Sequence, residues 1–362
     1  MKLFSCGRCQ QVVFFDNERC GVCDLPIGYH PAGNVFITLE RDEQGDGAGW
    51  RDASGQSDGL FRLCGNAQHG VCNWLCDDGT DDTYCRACRH NKIIPDLTIE
   101  GNETRWEKLE LAKHRMFYSL VRLGLPAPTR LEDPEGGLEF DFKGQEPDGT
   151  PVLTGHADGI ITIALREADD IEREKMRVSM GEYYRTLLGH FRHEIGHFYW
   201  NVLVRDAGCL DACRAVFGDD RADYNEALQT HYANGPRPGW QNDFVSAYAA
   251  SHPWEDFAES WAHYLHIVDA LETASSYGMS LRADVPDPAA LTVAIDFDPY
   301  APGAFDRVRD AWFPLASVET ALNRSMGLGE FYPFLLNNAV LDKVAFIHRL
   351  VHGEVPRDEV PA

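Results

Sequence analysis

The stretch "HFRHEIGHFYW", residues 190–200, contains two histidines four residues apart, with a glutamate directly after the first. On an α-helix, residues four apart lie on one face, one turn or about 6 Å from each other. His193 and His197 can therefore aim imidazole nitrogens at one metal ion, while Glu194 reaches a water bound to that ion. The pattern predicts a catalytic zinc centre in which Glu194 is the general base.

The residues around this motif favour a long, partly buried helix. Apolar residues recur at helical spacing between positions 184 and 198. Ser179 and Glu182 have the spacing of an N-terminal capping box, and Gly208 suits the C-terminal stop. A buried helix is the context that a metal-binding HExxH requires, so this interpretation is favoured over a solvated helix face that carries no metal.

A catalytic zinc needs a third protein ligand and an open position. The continuation "FYWNVLV" lacks the glycine and third histidine of HExxHxxGxxH, which excludes the metzincin pattern. The later stretch "SHPWEDFAESWAHYLHI" predicts a helix that begins near Pro253 and carries acids along one face. Glu255 can bind the metal there, and Glu259 can accept a hydrogen bond from a ligand histidine. Three other acids are weaker alternatives as ligands, namely Asp256, Asp223 and Glu226.

The first thirty residues carry two cysteine pairs, "CGRC" and "CGVC". In each pair a tight turn brings two thiolates to one ion, and four thiolates complete a tetrahedral zinc site. So short a segment cannot bury a core of its own, so the metal is its expected source of folding energy. The predicted ligands of this first structural zinc are Cys6, Cys9, Cys20 and Cys23.

A second cluster lies in "LCGNAQHGVCNWLCDDGTDDTYCRACRHN" and offers more donors than one ion needs. Cys85 and Cys88 form its one clear CxxC pair. The predicted ligands of a second structural zinc are Cys64, Cys72, Cys85 and Cys88. Cys76 is the surplus thiol in this interpretation, and Cys76 or His69 is the alternative for one of the four.

Between the cysteine clusters and HEIGH the sequence predicts one helix and two strands. Residues 102–124 repeat apolar side chains at helical spacing and end at Gly124 and Pro126. "LEFDF" alternates apolar and acidic residues, and "ADGIITIAL" (157–165) is more hydrophobic. With the turn signal "EPDGT" between them, the two segments predict a β-hairpin.

Composition and charge limit the function classes. The chain has 362 residues, is 44% hydrophobic and carries a formal net charge of −24. Such an acidic chain repels phosphate backbones, so nucleic acid is not an expected partner. Nine of the 11 cysteines fall within the first 88 residues, in a pattern typical of metal binding in a reducing compartment. The N-terminus lacks a signal-peptide core and no stretch is long enough to span a bilayer, which predicts a soluble, cytoplasmic protein without membrane contact.

These motifs resemble known metallopeptidases. HEIGH followed by a separate "EDFAE" helix resembles the gluzincins, in which an ExxxD or ExxxE helix supplies the third zinc ligand and its supporting acid. The resemblance implies that Glu255 is the ligand and Glu259 the supporting acid, with the reverse assignment as the alternative. Together with the two cysteine clusters, these motifs resemble, over most of the chain, a bacterial family of zinc-binding metallopeptidases that start with a zinc ribbon. Proteolytic function is implied.

The resemblance extends to two further features. Tyr248 lies seven residues before Glu255, a spacing similar to that of lethal-factor-like gluzincins, where a tyrosine stabilises the tetrahedral oxyanion. Tyr232 and His263 are the alternative oxyanion donors. The interpretation without a catalytic role is that Tyr248 is a packed core tyrosine. In zincins an edge strand beside the active helix also pairs with extended substrate. "ADGIITIAL" is the corresponding segment, unless it is an ordinary buried strand.

The sequence thus predicts an α+β protein with three parts. Residues 1–32 form a zinc-ribbon-like module and 33–98 a second cysteine-rich zinc module. Residues 99–362 form a mainly helical, zincin-like peptidase domain with a small β-sheet, entered through a linking helix at 99–125. One catalytic and two structural zinc ions are expected, with a peptide or protein as substrate and a possible protein partner at the zinc modules.

Two other functions compete with the enzyme. The first is a non-catalytic adaptor whose zinc modules bind a protein and whose zincin domain is unused. The second makes the cysteine modules nucleic-acid binders, which the acidic charge disfavours. Loss of amide hydrolysis in Glu194→Gln separates the enzyme from the adaptor.

Overall fold

The computed structural model describes residues 1–42, 49–77, 79–80, 82–145 and 149–358. The chain divides into two compact units. The first comprises Met1–Gly181 and Arg185–Leu188, and the second comprises Glu182–Tyr184 and the chain from Gly189 onward. The boundaries expected from the sequence, at 32 and 98, stay predictions.

Short strands occupy the first unit, and helices dominate the second. In the described residues the strands are β1 (Phe4–Ser5), β2 (Val12–Val13), β3 (Ile27–His30), β4 (Val35–Arg41), β5 (Trp50–Asp52), β6 (Asn91–Ile93), β7 (Glu139–Lys143), β8 (Gly155–Ala157), β9 (Ile160–Ala164), β10 (Ser280–Leu281) and β11 (Val293–Ala294). The α-helices in the described residues are α1 (Asn102–Arg122), α2 (Asp170–Met180), α3 (Leu187–Tyr199), α4 (Leu210–Phe217), α5 (Tyr224–Asn234), α6 (Pro253–Ser276), α7 (Phe305–Ser325) and α8 (Asn338–Val351). The predicted α+β class, with cysteine-rich modules before a helical region, is confirmed.

Small antiparallel sheets organise the cysteine-rich part of the first unit. β1 pairs with β2, and β3, β4 and β5 form a three-stranded sheet in that order. Leu39, Phe61 and Leu75 form a small buried core. Tyr29 and Trp74 are both fully buried, with ring centroids 4.7 Å apart. This part therefore has a modest apolar core in addition to its thiol clusters.

The predicted hairpin between "LEFDF" and "ADGIITIAL" is wrong. β7 and β9 pair in parallel in a sheet of order β6-β7-β9-β8. The hairpin joins β8 to β9 instead, through Asp158 and Gly159, which both have positive φ. Asp-Gly is a strong hairpin-turn signal, and it lies inside the segment taken as one strand. The predicted turn "EPDGT" includes residues 146–148, which lie outside the described residues.

Helix α1 coincides with the helix predicted between 102 and 124. Leu109, Phe117 and Leu120 are buried on one face, as the helical spacing predicts. The chain leaves the helix at Gly124, whose φ of 63° is the left-handed conformation typical of a helix end.

The capping box predicted before the HEIGH helix is wrong. Ser179 lies near the end of a separate helix, α2, where its hydroxyl donates to the carbonyl oxygen of Met176 at 2.9 Å. Asp169 caps that helix by accepting from two main-chain N–H groups. Gly181 then ends α2 in the left-handed conformation, and α3 begins six residues later. A Ser-x-x-Glu pattern is local, and a glycine between its members interrupts it.

Helix α6 lies at the centre of the second unit. It has 24 residues, most of them buried, and it packs against α4, α7 and α8. Pro253 occupies its first turn and the His252 side chain accepts from the Trp254 N–H at 3.1 Å, so the helix starts where the sequence predicts. No helix in the described part of the chain is both long and apolar enough to cross a membrane.

Candidate active site and metal centres

The HEIGH histidines and Glu255 converge on one point in the second unit. His193 and His197 lie one turn apart on α3, with their Nε2 atoms 3.2 Å apart. Glu255, in the first turn of α6, places Oε2 at 3.0 Å from His193 Nε2 and 3.4 Å from His197 Nε2. One donor atom from each of the three residues lies within 4.8 Å of the other two. The structure therefore brings together the three residues that the sequence proposed as ligands on two helices.

The chemistry of these donor atoms fits a cation. His193 Nδ1 lies 2.8 Å from Glu259 Oε1, and because a carboxylate only accepts, Nδ1 carries the proton. In the neutral ring Nε2 is then a bare lone pair, directed at Glu255 Oε2. That oxygen is buried and has no hydrogen-bond donor among the described residues. Lone pairs facing one another in a buried site are stabilised by a bound metal ion.

Gly196 explains how α6 comes close enough to α3. A Cβ atom at this position would lie 3.0 Å from Ala258 Cα and 3.2 Å from Trp261 Cβ. Only a glycine leaves room for such a close approach of the two helices. The glycine of HEIGH therefore positions Glu255 indirectly, by allowing the two helices that carry the donor atoms to pack together.

Glu194 directly follows His193 in the sequence. Its side chain is buried, and burial raises the pKa of the carboxyl group. A carboxyl group with a raised pKa is suited to accept a proton near neutral pH and to give it back. Burial of this acid argues against a simple solvated helix face.

Glu259 and Ser246 orient the first histidine. Ser246 Oγ donates to Glu259 Oε2 at 2.7 Å, while the other carboxylate oxygen accepts from His193. Such contacts fix the tautomer and the plane of a metal-binding imidazole. Ser246 was not singled out in the sequence, because no local pattern connects it with Glu259 on α6.

Two tyrosines stand beside the donor atoms. Tyr248, the predicted oxyanion donor, is half-buried with its ring centroid 6.0 Å from that of His193. Tyr224 Oη donates to Glu255 Oε1 at 2.6 Å. Sequence reasoning missed Tyr224, because nothing in its own segment shows that α5 faces Glu255. The two alternatives to Tyr248 have other surroundings. Tyr232 is 61% exposed, and His263 Nδ1 forms a hydrogen bond with Tyr332 Oη at 2.6 Å.

Two of the weaker acidic candidates have other partners. Asp256 is fully buried against Lys343 Nζ at 2.6 Å, and burial raises its pKa to about 7 despite that partner. Asp223 caps α5 by accepting from the Glu226 N–H at 2.8 Å. Among these acids Glu255 alone belongs to the group of converging donor atoms.

The first cysteine cluster is compact in the structure. Cys6 Sγ lies 3.6 Å from Cys23 Sγ, and Cys9 Sγ lies 3.5 Å from Cys20 Sγ. All four sulfurs lie within 4.8 Å of one another and none forms a disulfide. Four sulfurs about 2.3 Å from one zinc ion are about 3.8 Å apart at the corners of a tetrahedron, so this set fits zinc.

The second cluster brings together the four favoured thiols, which are Cys64, Cys72, Cys85 and Cys88. All four are buried, and the sulfurs of Cys72 and Cys85 are 3.7 Å apart. The Cys76 thiol instead contacts the carbonyl oxygen of Thr83 at 3.7 Å, and the His69 ring lies against Trp106 at 5.5 Å. Neither Cys76 nor His69 therefore belongs to the group of converging donor atoms, hereafter the sulfur group.

Helix α1 contributes two further donors beside this cluster. Cys88, Glu110 and His114 have donor atoms within 4.8 Å of one another, and all three are buried. The sequence showed no sign of this contact, because Glu110 and His114 lie on a helix that was assigned a linking role.

Comparisons with known proteins agree with the centres just described. Residues 102–350 match the family described as "Putative zinc-binding metallo-peptidase", and residues 3–99 match a zinc-ribbon domain. An HExxH helix with a glutamate ligand on a second helix is the donor set of a zinc-dependent peptidase class. The chain belongs to this metallopeptidase family, which the sequence motifs predicted.

Three relatives match this chain over its whole length. Three uncharacterised proteins, one from Mycobacterium bovis and two from strains of Mycobacterium tuberculosis, are each 38% identical over 363 residues. The match covers 100% of this chain and 98% of each relative, so both the zinc ribbon and the peptidase region are shared. No solved structure matches the chain.

Proposed function

We propose that the protein is a zinc-dependent metallopeptidase that hydrolyses a peptide or related amide bond. The observation that carries the proposal is the convergence of His193, His197 and Glu255 beside the buried Glu194. Three protein ligands leave one position for water or substrate, which is the arrangement of a catalytic rather than a structural zinc site. The proposal includes three zinc ions per chain, a catalytic one at the histidine–glutamate site and a structural one at each four-cysteine cluster.

Glu194 performs the proton transfers in this proposal. A zinc ion held by the three ligands would polarise the substrate carbonyl and lower the pKa of its water to about 7. Glu194 takes the proton of the attacking water and then gives it to the leaving amine. Its buried position raises the pKa of the carboxyl group, which helps it to hold that proton between the two steps.

The other residues of the site orient the His193 imidazole or stabilise the oxyanion. Glu259, held by Ser246, keeps the His193 imidazole in the tautomer whose Nε2 faces the metal. Tyr248 donates a hydrogen bond to the oxyanion that develops on the substrate carbonyl, since its ring lies beside His193. The substrate is a peptide or protein, and the zinc modules offer a surface for a protein partner.

The test compares full-length protein with Glu194→Gln, which keeps the size of the side chain and removes the base. Proteomic cleavage profiling of the parent should yield products that fall at least about 100-fold in the variant, within the range of general acid–base catalysis. Zinc per chain should stay equal, because Glu194 is not a ligand. Glu226→Gln, the same chemical change on α5, should cleave like the parent. Equal cleavage by Glu194→Gln would show that the domain is not catalytic and would favour the adaptor.

A further inference from the structure

The His114 imidazole, on helix α1, lies against the second cysteine cluster. Its Nε2 is 3.3 Å from Cys72 Sγ, 3.6 Å from Cys88 Sγ and 3.9 Å from Cys85 Sγ. We infer that His114 is part of the second zinc centre and donates a hydrogen bond from Nε2 to the Cys72 sulfur when the four thiolates hold the metal. It acts as a positioning residue that ties α1 to the centre.

The other ring nitrogen explains the orientation of the imidazole. His114 Nδ1 lies 2.6 Å from the carbonyl oxygen of Glu110, one turn earlier on α1. A carbonyl oxygen only accepts, so Nδ1 carries a proton and the ring is held with Nε2 directed at the sulfurs. A metal-bound thiolate also only accepts, so the hydrogen bond from Nε2 makes His114 an imidazolium with a proton on each ring nitrogen. This contact is made within a single helix, so the imidazole is already directed at the cysteines before any metal binds.

Charge supplies the reason for a donor at this position. Four thiolates exceed the charge of one zinc ion, and the excess negative charge is buried with the cluster, where it is costly without a compensating partner. Lys113 and Glu110 are also fully buried, but they pair with each other at 2.8 Å and so largely cancel. Trp106 Nε1 and Asn91 Nδ2 both donate to Glu110 Oε1, at 3.0 and 2.6 Å, which holds that carboxylate in place. The main-chain N–H groups of Trp74 and Cys85 donate to the sulfurs of Cys72 and Cys64, each at 3.4 Å. The His114 imidazolium adds a charged N–H donor to these neutral ones.

His114 links two parts of the chain that match different families. His114 lies beyond the zinc-ribbon match, which ends at residue 99, and within the metallopeptidase match, which starts at 102. Metal bound by the second cluster therefore holds the first helix of the peptidase region as well as the cysteine module. Zinc loss from this centre should loosen α1, and loss of His114 should weaken the centre.

Zinc release from full-length protein tests the inference through His114→Ala. Contacts behind a metal ligand are worth about 10–100-fold in metal affinity, so one zinc ion per chain should pass to a chelator at least about tenfold faster than in the parent. His114→Gln retains an N–H donor and should release that ion more slowly than His114→Ala. The matched control is His69→Ala, whose ring lies against Trp106 away from the sulfur group and should leave release unchanged. Unchanged release in His114→Ala would overturn the inference.

A second measurement needs no variant and so does not depend on folding of one. Cadmium-113 NMR of the cadmium-loaded parent, with nitrogen-15 in its histidines, should show four-sulfur resonances for both cysteine centres. The His114 Nε2 should carry a proton that couples weakly to cadmium through the sulfur. A direct cadmium–nitrogen coupling at His114 would mean that it replaces a cysteine as ligand, and this would overturn the hydrogen-bond assignment.

Discussion

The cysteine clusters of the first unit and the histidine–glutamate site of the second differ in how many donors they offer. Each cluster presents four sulfurs, which fill a tetrahedral zinc sphere, whereas the site on α3 and α6 presents three donors and a buried acid. A filled sphere leaves zinc no place for substrate, so the clusters fit a structural role. Three donors leave a position open, so the second site fits chemistry. The number of donors separates the two roles without any appeal to residue type.

The two cysteine clusters also differ from each other. The first draws all its donors from one short segment, and Cys9 is exposed there. The second is wholly buried and is contacted from α1 by His114. A local cluster stabilises only its own turns, whereas a buried cluster contacted by a helix stabilises the surrounding fold. Removing ligands should therefore have larger consequences at the second cluster.

The largest expected effect is that of Cys72→Ala. Structural zinc contributes on the order of 10 kcal/mol to the folding of small metal-binding modules, and the variant leaves only three sulfurs at a buried centre. We expect one zinc ion fewer per chain than in the parent, and cleavage between residues 64 and 90 in limited proteolysis. Zinc content by mass spectrometry and the protease pattern measure both.

Cys76→Ala is the matched control for this prediction. Its thiol is buried but lies outside the sulfur group, against main-chain oxygens of Leu63 and Thr83. The variant should keep the zinc content of the parent and its resistance to protease. Loss of zinc from Cys76→Ala would mean that the surplus thiol has been assigned incorrectly.

The next effect in size concerns the open site. Tyr248→Phe removes the hydroxyl proposed to stabilise the oxyanion, and loss of one such donor costs about 10²–10³ in turnover. Zinc content should not change, because Tyr248 is not among the converging donors. Rates on a peptide taken from the cleavage profile measure the effect, with the 71% exposed Tyr183→Phe as the control. If Tyr232→Phe lost turnover instead, the oxyanion role would pass to that tyrosine.

Sequence patterns predicted those parts of the site that depend on local spacing. The four-residue interval between His193 and His197 fixes a shared helix face, and "CGRC" and "CGVC" bring thiols together through a tight turn. Glu255 was found on a second helix from the start signal at Pro253 and the acids along one face, and the resemblance to gluzincins supported its choice over the neighbouring acids. These are cases in which short-range geometry determines which atoms meet.

Long-range packing decided what the sequence did not predict. Tyr224 and His114 reach their partners from helices far along the chain, and no interval in the sequence encodes such a contact. The pairing of β7 with β9 was missed for a local reason as well, because the Asp158-Gly159 turn was taken as part of a strand. The capping box at Ser179 failed because a local pattern was extended across a glycine that ends α2.

Gly196→Ala tests the approach of the two helices and should have a smaller effect. Alanine is the better helix former, yet its methyl group would meet the Ala258 backbone at 3.0 Å. Overpacking of this kind costs about 2 kcal/mol of the free energy of unfolding, and it should also weaken zinc binding at the open site. Urea unfolding followed by tryptophan fluorescence measures the loss. Gly329→Ala adds a methyl group where nothing lies within 4 Å and should leave the urea midpoint unchanged.

The smallest predicted effect is that of Tyr224→Phe, which removes the hydroxyl that holds Glu255 Oε1 at 2.6 Å. The carboxylate keeps its contacts with both histidines, so the ligand set stays complete but is less rigidly oriented. We expect the affinity of this site for zinc to fall by about tenfold, at the low end of effects of contacts behind a metal ligand. Competition with a chelator of known affinity measures the change, and zinc at the two cysteine centres should be retained as in the parent.

The same experiment distinguishes the roles of the two tyrosines. Tyr277→Phe, at a position 58% exposed, is the control for loss of a hydroxyl and should bind zinc like the parent. If Tyr224→Phe binds zinc more weakly but turns over normally once saturated, Tyr224 acts through Glu255. If it binds zinc normally and loses turnover, Tyr224 rather than Tyr248 faces the reacting carbonyl, and the open site would have its oxyanion donor on α5.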